Sequence, residues 1–546
     1  MNKCSILILL CWVCTQQLSG QTYSIILGRP TDKSITLNIL FDQNVNFYIE
    51  YGTSTSLYTK STTTTSTNAN ATYTIELNDL TFNSKFYYRL RYKINSVSVF
   101  SASPEYTFQT QRDKGSIFSF TVEADEHLYD KKGVRSMYQV TLNNEALDKP
   151  DFMLSLGDIF GDDHNPYTIT SNDLDLLHKD YRQYLGSICH SIPFYISLGN
   201  HEGENDYYLN QTPPNNLAIL ATYWRKFYYP NPSPNTFYSG NNDNEPYGIG
   251  SPENYYAWTW GDALFVVLDV YRYENMNSDK PQNWDWSLGF KQYTWLKNTL
   301  EGSSAKYKFV FAHHIRGQGR GGLTNAKLFE WGGYEADGKT YGFDKNRPGW
   351  GKPIHQLFKD NGVSIFFQGH DHLFAHEVLD GIHYQEVPMP SDSTYMIGKL
   401  ANADAYTSDT LDGTGHIKVN VSSSCIKVDY IKAYLPKDTL DGKHKNREIG
   451  FSYTVGTCLV TGIEELQFQS LKDYVKIYPN PASKFINLTF KEALIKHEAK
   501  LFDEVGNIVL ISNQNQINVS ELPNGLYILS VQTDKWQKSQ KIILNK

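Results

Sequence analysis

The 546 residues carry a formal net charge of −8, with 14% aromatic residues and 39 Tyr. A length of this order points to about three domains. The acidic balance excludes a general polyanion binder, whose affinity for a phosphate backbone rests on clustered Lys and Arg, so an anionic substrate would need a local positive charge such as a metal ion.

The chain opens with Lys3, an apolar stretch Ile6–Val13 and Leu18-Ser19-Gly20 ahead of Gln21. That order predicts a secretory signal peptide over residues 1–20. Its apolar run is too short to span a bilayer, and no later stretch reads as a membrane helix. Cys4, Cys11 and Cys14 would leave with the signal, and Cys189, Cys425 and Cys458 remain. Three cysteines permit one disulfide at most, with Cys425–Cys458 the expected pair.

Residues 21–112 read as all-β. Ser34–Leu40 and Val45–Tyr51 alternate in the strand manner, Tyr73–Leu77 follows a loop rich in Thr, Ser and Asn, and Lys85–Tyr92 alternates again. Short strands at this spacing predict a sandwich. Leu80 and the strand FYYRLRY stand where a fibronectin type III domain carries them, and the segment resembles one; a spacer or docking module is the expectation.

From Gly115 strands alternate with helices. Strands are predicted at Ile117–Val122, Phe152–Leu156, Phe194–Leu198, Tyr255–Trp260, Ala263–Val270, Lys308–Ala312 and Val363–Phe367. Helices are predicted at Val134–Leu147, Asp173–Leu185, Leu217–Tyr228, Gly289–Leu300 and Pro353–Asp360. This alternation implies a layered α/β architecture over residues 113–460. His383–Val387, His416–Val421 and Ile426–Tyr434 return to β and predict a second sheet.

Residues 466–546 form another β-rich unit, with alternating segments at Phe485–Phe490 and Leu526–Val531. Tyr478-Pro479-Asn480-Pro481, Gly506, Leu522, Gly525-Leu526-Tyr527 and Lys541-Ile542-Ile543 make it resemble the C-terminal sorting domain of the type IX secretion system of Bacteroidetes. The resemblance implies that the secretion machinery is a partner and that the protein is secreted or placed at the cell surface. A carbohydrate-binding sandwich is the alternative.

The strand ends carry the chemistry. Asp125 and His127 follow the first central strand, Gly157-Asp158 the second, and Gly199-Asn200-His201-Glu202 the third. His313-His314 and Gly369-His370-Asp371-His372 follow two later strands. Ligand sites of open α/β sheets lie at the carboxyl ends of their strands. Oxygen and imidazole donors without thiolate suit Zn, Mn or Fe. Seven donors exceed the need of one ion, which predicts two ions sharing a carboxylate, about 3.5–4 Å apart, as in phosphoryl displacement.

These five blocks resemble the calcineurin-like metallophosphoesterases. The resemblance implies that Asp125, His127 and His372 bind one metal, that Asn200, His313 and His370 bind the other, and that Asp158 bridges. It further implies a metal-bridging hydroxide as nucleophile, His201 as general acid and Glu202 as the residue orienting it. The expected fold is a four-layer α/β metallophosphoesterase sandwich flanked by two all-β sandwiches.

The layout also resembles purple acid phosphatases, with a departure. Their Tyr ligand three residues after the bridging Asp is Gly161 here, and His127 stands where they lack a His; no tyrosinate-to-iron colour is expected. Arg316 and His314 are candidates for substrate binding, a guanidinium being suited to a phosphate oxygen. Asp162, Asp163 and His164 read either as residues supporting the ligands from behind or, by preference, as a solvated loop. The expectation is a secreted two-metal phosphoric ester hydrolase acting on monoesters. A phosphodiesterase or nucleotidase of the same fold, or a catalytically silent surface binding protein, is the alternative.

Overall fold

The computed structural model describes residues 23–94, 96–209, 216–245, 248–273, 283–315, 321–397, 405–458, 475–490, 497–503, 508–533 and 537–546. The proposed signal peptide and Arg316 lie outside the described residues. The chain divides into two compact units, residues 1–459 and 460–546.

Two sheets make the centre of the larger unit. The first runs in the order Phe194–Ile196, Phe152–Ser155, Phe118–Glu123, Gly415–Val421, Cys425–Lys432, Ile449–Gly456. Its first three strands are parallel, and the rest join them antiparallel. The second has eight strands, with a parallel middle formed by Ala263–Val267, Tyr307–Phe311, Ile365–Gln368 and Ile382–Glu386. Strands buried on both faces read as unbroken apolar runs; Phe309, Val310 and Phe311, for example, are each fully buried. The two sheets face each other across an aromatic core that includes Phe120, Phe152, Trp258, Phe265, Phe311 and Phe367. Helices cover the outer faces, Gly289–Glu301 and Ile354–Asp360 through Leu296, Leu300, Leu357 and Phe358, and Arg135–Asp148 and Ser171–Leu185 through Tyr138, Leu142, Tyr181 and Leu185. Helix, sheet, sheet, helix is the four-layer arrangement that the resemblance to metallophosphoesterases implies. The Cys425–Cys458 disulfide forms across the outermost strand pair.

The N-terminal β-sandwich is not the separate spacer that its sequence suggests. Its strands Tyr23–Gly28, Ile35–Phe41 and Thr72–Leu77 form one sheet and Val45–Gly52 with Lys85–Ile94 the heart of the other. Ile26 leaves the sandwich core and packs with Leu128, Ile159 and Phe160, which flank His127 and Asp158. Leu27 N–H donates to the Cys189 carbonyl at 2.9 Å, and the Tyr88 hydroxyl to the His190 carbonyl at 2.6 Å. Arg182 is buried at this junction. It donates to Ser24 Oγ at 2.8 Å and to the Asn38 carbonyl at 2.5 Å, and also to the Tyr228 carbonyl. Burial without a carboxylate partner lowers its pKa to about 10. Carbonyl oxygens thus replace a counter-ion, and the module is fastened to the central domain by groups that water cannot reach.

The smaller unit is a β-sandwich of its own. Val475–Tyr478, Phe485–Phe490 and Gln516–Asn518 make one sheet, and Ile508–Ser512, His497–Phe502, Gly525–Thr533 and Gln537–Leu544 the other. Ile477, Ile486, Leu488, Leu501, Leu529 and Ile542 fill its core. Among the described residues no helix is long and apolar enough to cross a membrane.

Candidate metal centre

The five strand ends converge. Asp125, His127 and His372 bring one ligand atom each within 4.8 Å of one another, and so do Asp158, His313 and His370. Backbone conformation contributes to this convergence. Asp125, His127, Asp158, His370 and His372 all have positive φ, between 45° and 76°. Non-glycine residues adopt this left-handed region at a cost of about 1–3 kcal/mol each, and such strain gathers at functional sites. It turns each side chain out of the strand direction and into the shared space.

Two glycines make room for the carboxylates. A Cβ at Gly199 would lie 2.3 Å from Asp158 Oδ1, and one at Gly369 2.6 Å from Asp125 Oδ2. Each carboxylate keeps one oxygen on a backbone donor: His201 N–H to Asp158 Oδ1 at 2.8 Å, and His370 N–H to Asp125 Oδ2 at 2.7 Å. The second oxygens face the centre. Asp125 Oδ1 is buried and accepts no hydrogen bond from the described residues, and it lies 3.4 Å from His372 Nε2 and 3.9 Å from His127 Nε2. Asp158 Oδ2 lies 3.2 Å from His313 Nε2 and 3.9 Å from His127 Nε2, between the two groups.

The imidazoles face one another in the same way, His127 Nε2 3.0 Å from His372 Nε2 and His313 Nε2 3.1 Å from His370 Nδ1. His313 Nδ1 meets the Leu156 carbonyl at 2.8 Å, a contact only its N–H satisfies, so Nε2 is left unprotonated and facing His370 and Asp158. Pairs of nitrogens at this spacing around an orphaned buried carboxylate oxygen fit a bound cation: an ion shared by them satisfies every donor at once. Asn200 begins the short 3₁₀ turn after Gly199, with Oδ1 3.4 Å from the Tyr271 hydroxyl. His314 is buried, paired with Tyr271 at 2.9 Å and stacked on His370 at 4.3 Å between ring centroids.

His201 lies at the rim, its side chain 32% exposed, with Nε2 4.0 Å from Asp158 Oδ2. Burial alone would lower its pKa, but the Asp158 and Asp163 carboxylates overcome this and raise it to about 10. Its Nδ1 is held by Asp163 Oδ1 at 2.8 Å. This corrects two expectations. Glu202 does not orient His201: its carboxylate is turned inward and accepts from the backbone N–H groups of Gly199, Asp158 and Ile159 at 2.5, 2.9 and 2.8 Å. It acts as a clamp on the two ligand-bearing turns, its own pKa raised to about 7 by burial and by Asp158. Nor is the loop after Asp158 simply solvated, because Asp162 is buried against His178 at 3.3 Å while Asp163 reaches His201. A carboxylate five residues after Asp158 carried no periodic signal, since turn geometry alone brings it to the imidazole.

Residues 119–374 match the calcineurin-like phosphoesterase family, and residues 476–545 the secretion system C-terminal sorting domain. No curated protein matches the sequence. Among solved structures, that of PhoD superposes with a TM-score of 0.55 at 17% identity, over 79% of this chain and 90% of that one. Purple acid phosphatase PPD1 from yellow lupin (Lupinus luteus) seeds superposes with a TM-score of 0.51 at 14% identity, over 81% of this chain and 77% of that one. At these identities the two show a common fold. With the strand-end Asp and His groups described above, the matches make the middle of this chain a calcineurin-like phosphoesterase domain, that of a metal-dependent phosphoric ester hydrolase, with a secretion sorting domain behind it.

Proposed function

We propose that this protein is an exported two-metal phosphomonoesterase. The observation that carries the reading is the place of Asp158 Oδ2, 3.2 Å from His313 of one group and 3.9 Å from His127 of the other, with His201 on its solvent side. Asp125, His127 and His372 would hold one ion; His313, His370 and the Asn200 amide oxygen the second; Asp158 would serve both. Mn, Fe or Zn suits these donors. When bound, the ions supply a nucleophile from water at neutral pH and neutralise charge on the phosphoryl oxygens.

The chain's own residues handle the leaving group. His201 presents Nε2 to solvent beside Asp158, and Asp163 anchors Nδ1. An imidazole fixed in this way keeps a proton at Nε2 and donates it to the departing ester oxygen as the P–O bond breaks. Glu202 fixes the turns bearing Asp158 and Asn200 relative to one another.

Preference for monoesters is supported by the fold shared with a protein named a purple acid phosphatase. Export is supported by the sorting-domain match and by the signal-like residues 1–20; secretion or display at the cell surface follows, with the type IX machinery as partner. The test is kcat/KM for an aryl phosphate monoester against the matching diester, in protein loaded separately with Mn, Zn and Fe. Faster monoester turnover supports the proposal. Faster diester turnover replaces it with a phosphodiesterase or nucleotidase.

A further inference from the structure

Each imidazole of the centre has a second nitrogen, and how that nitrogen is held differs along the chain. His313 Nδ1 is tied to a backbone carbonyl, that of Leu156. His372 Nδ1 is buried and has no hydrogen-bond partner among the described residues. His127 Nδ1 is held by side chains: the Tyr129 hydroxyl lies 2.9 Å away and Asp130 Oδ2 3.3 Å away, with Lys132 Nζ on the same Asp130 oxygen at 2.6 Å.

Tyr129 also occupies a particular space. Its ring lies over Gly161, where a Cβ would come within 2.3 Å of three ring carbons, and Gly161 has φ +65°. Any side chain at 161 would have to displace the tyrosine.

We propose that Tyr129 is the positioning residue of the Asp125–His127–His372 group. Its hydroxyl oxygen accepts the Nδ1–H of His127 and so turns Nε2 toward His372, while the ring's seat over Gly161 holds the hydroxyl in place. The inference rests on the two-metal reading above. Hydrogen bonds to the far nitrogen of a ligating His are worth roughly 10–100-fold in metal affinity. Because His127 is held in this way and belongs to one group only, the loss should fall on one ion and spare the other.

The experiment is a chelator competition on the full mature chain loaded with Zn or with Mn, followed ion by ion, on wild type, Tyr129→Phe and Asp130→Asn. Phe keeps the ring over Gly161 and removes only the hydroxyl. We expect Tyr129→Phe to weaken one ion about 10–100-fold and to leave the other within about twofold, with the melting temperature of the metal-free protein unchanged. Gly161→Ala should weaken the same ion by pushing the ring aside, and should add little once Tyr129→Ala has removed that ring. Two unchanged affinities in Tyr129→Phe, with a loss in Asp130→Asn, would overturn the proposal in favour of Asp130. Equal loss of both ions would reduce Tyr129 to a packing role and also overturn it. Fewer than two ions in the wild type would instead sink the two-metal reading, and the same titration reports that separately.

Discussion

Asp163 Oδ1 and His201 Nδ1, 38 residues apart in the chain, meet at 2.8 Å. The pair leaves Nε2 as the nitrogen free to act at the rim. His201→Ala is expected to lower kcat by about 10²–10⁴-fold, the usual contribution of a placed general acid. Asp163→Asn should lower kcat by a smaller factor, about tenfold or more, with metal content unchanged. Steady-state kinetics with metal analysis of the same samples checks both. An Asp163→Asn enzyme with wild-type kcat would show that the contact does not orient the acid.

Glu202 should behave differently although it is the next residue. Its carboxylate satisfies N–H groups on both the Asp158 and the Asn200 turns, and a Gln amide would set its own N–H donors against them. Glu202→Gln is expected to cost on the order of 3 kcal/mol of stability and to reduce bound metal, measured by urea unfolding and by metal analysis. Full metal content and an unchanged unfolding midpoint would refute the clamp.

The N-terminal sandwich shares its fate with the centre. Arg182→Ala would leave the Tyr228 and Asn38 carbonyls buried without their donor, a loss of about 2–4 kcal/mol. Because Ile26 packs beside the residues flanking His127 and Asp158, the loss should appear as one cooperative shift of the whole larger unit. Calorimetry that resolved a separate early transition for the sandwich would contradict this.

Away from the metal centre, His376 Nε2 and His383 Nδ1 lie 2.8 Å apart, with Tyr453 stacked on both rings. Burial, and next to it the neighbouring His376, lowers the His383 pKa to about 4, against about 6.5 in an unfolded chain. Between these values the unfolded chain takes up a proton that the folded one refuses. Stability is therefore full above about pH 6.5 and falls as pH drops toward 4, by on the order of 1–2 kcal/mol once solvent screening at this partly exposed ring is allowed for. Replacing His383 by Gln should flatten that part of the profile, as read from urea midpoints at pH 7.5 and 4.5. An unchanged slope would show that His383 is not the group responsible.

The convergence of Asp and His residues was largely legible in the sequence because they sit at strand ends in short blocks. Gly-Asp, Gly-Asn-His and Gly-His-x-His each place a glycine where a carboxylate or a tight turn needs the space. Helix Leu217–Tyr228 has the bounds its apolar spacing predicts. What stayed hidden depends on turn geometry. Asp163 reaches His201 because the chain curls after Asp158, and Glu202 turns inward because three unsatisfied N–H groups await it. The positive φ values of the ligand residues are likewise invisible in a string of Asp and His. The attachment of the sandwich through Ile26 and Arg182 was hidden too, since one apolar and one basic residue read as ordinary parts of a strand and a helix.

The most direct test of the central claim joins metal stoichiometry to turnover on one preparation of the mature chain. Loaded in turn with Mn, Zn and Fe, it should bind two ions per chain and release phosphate from an aryl monoester faster than it cleaves the matching diester. The reaction should stop when a chelator removes the ions and return when they are restored. A chain that binds no metal, or that binds two ions and turns over neither ester, would contradict the account.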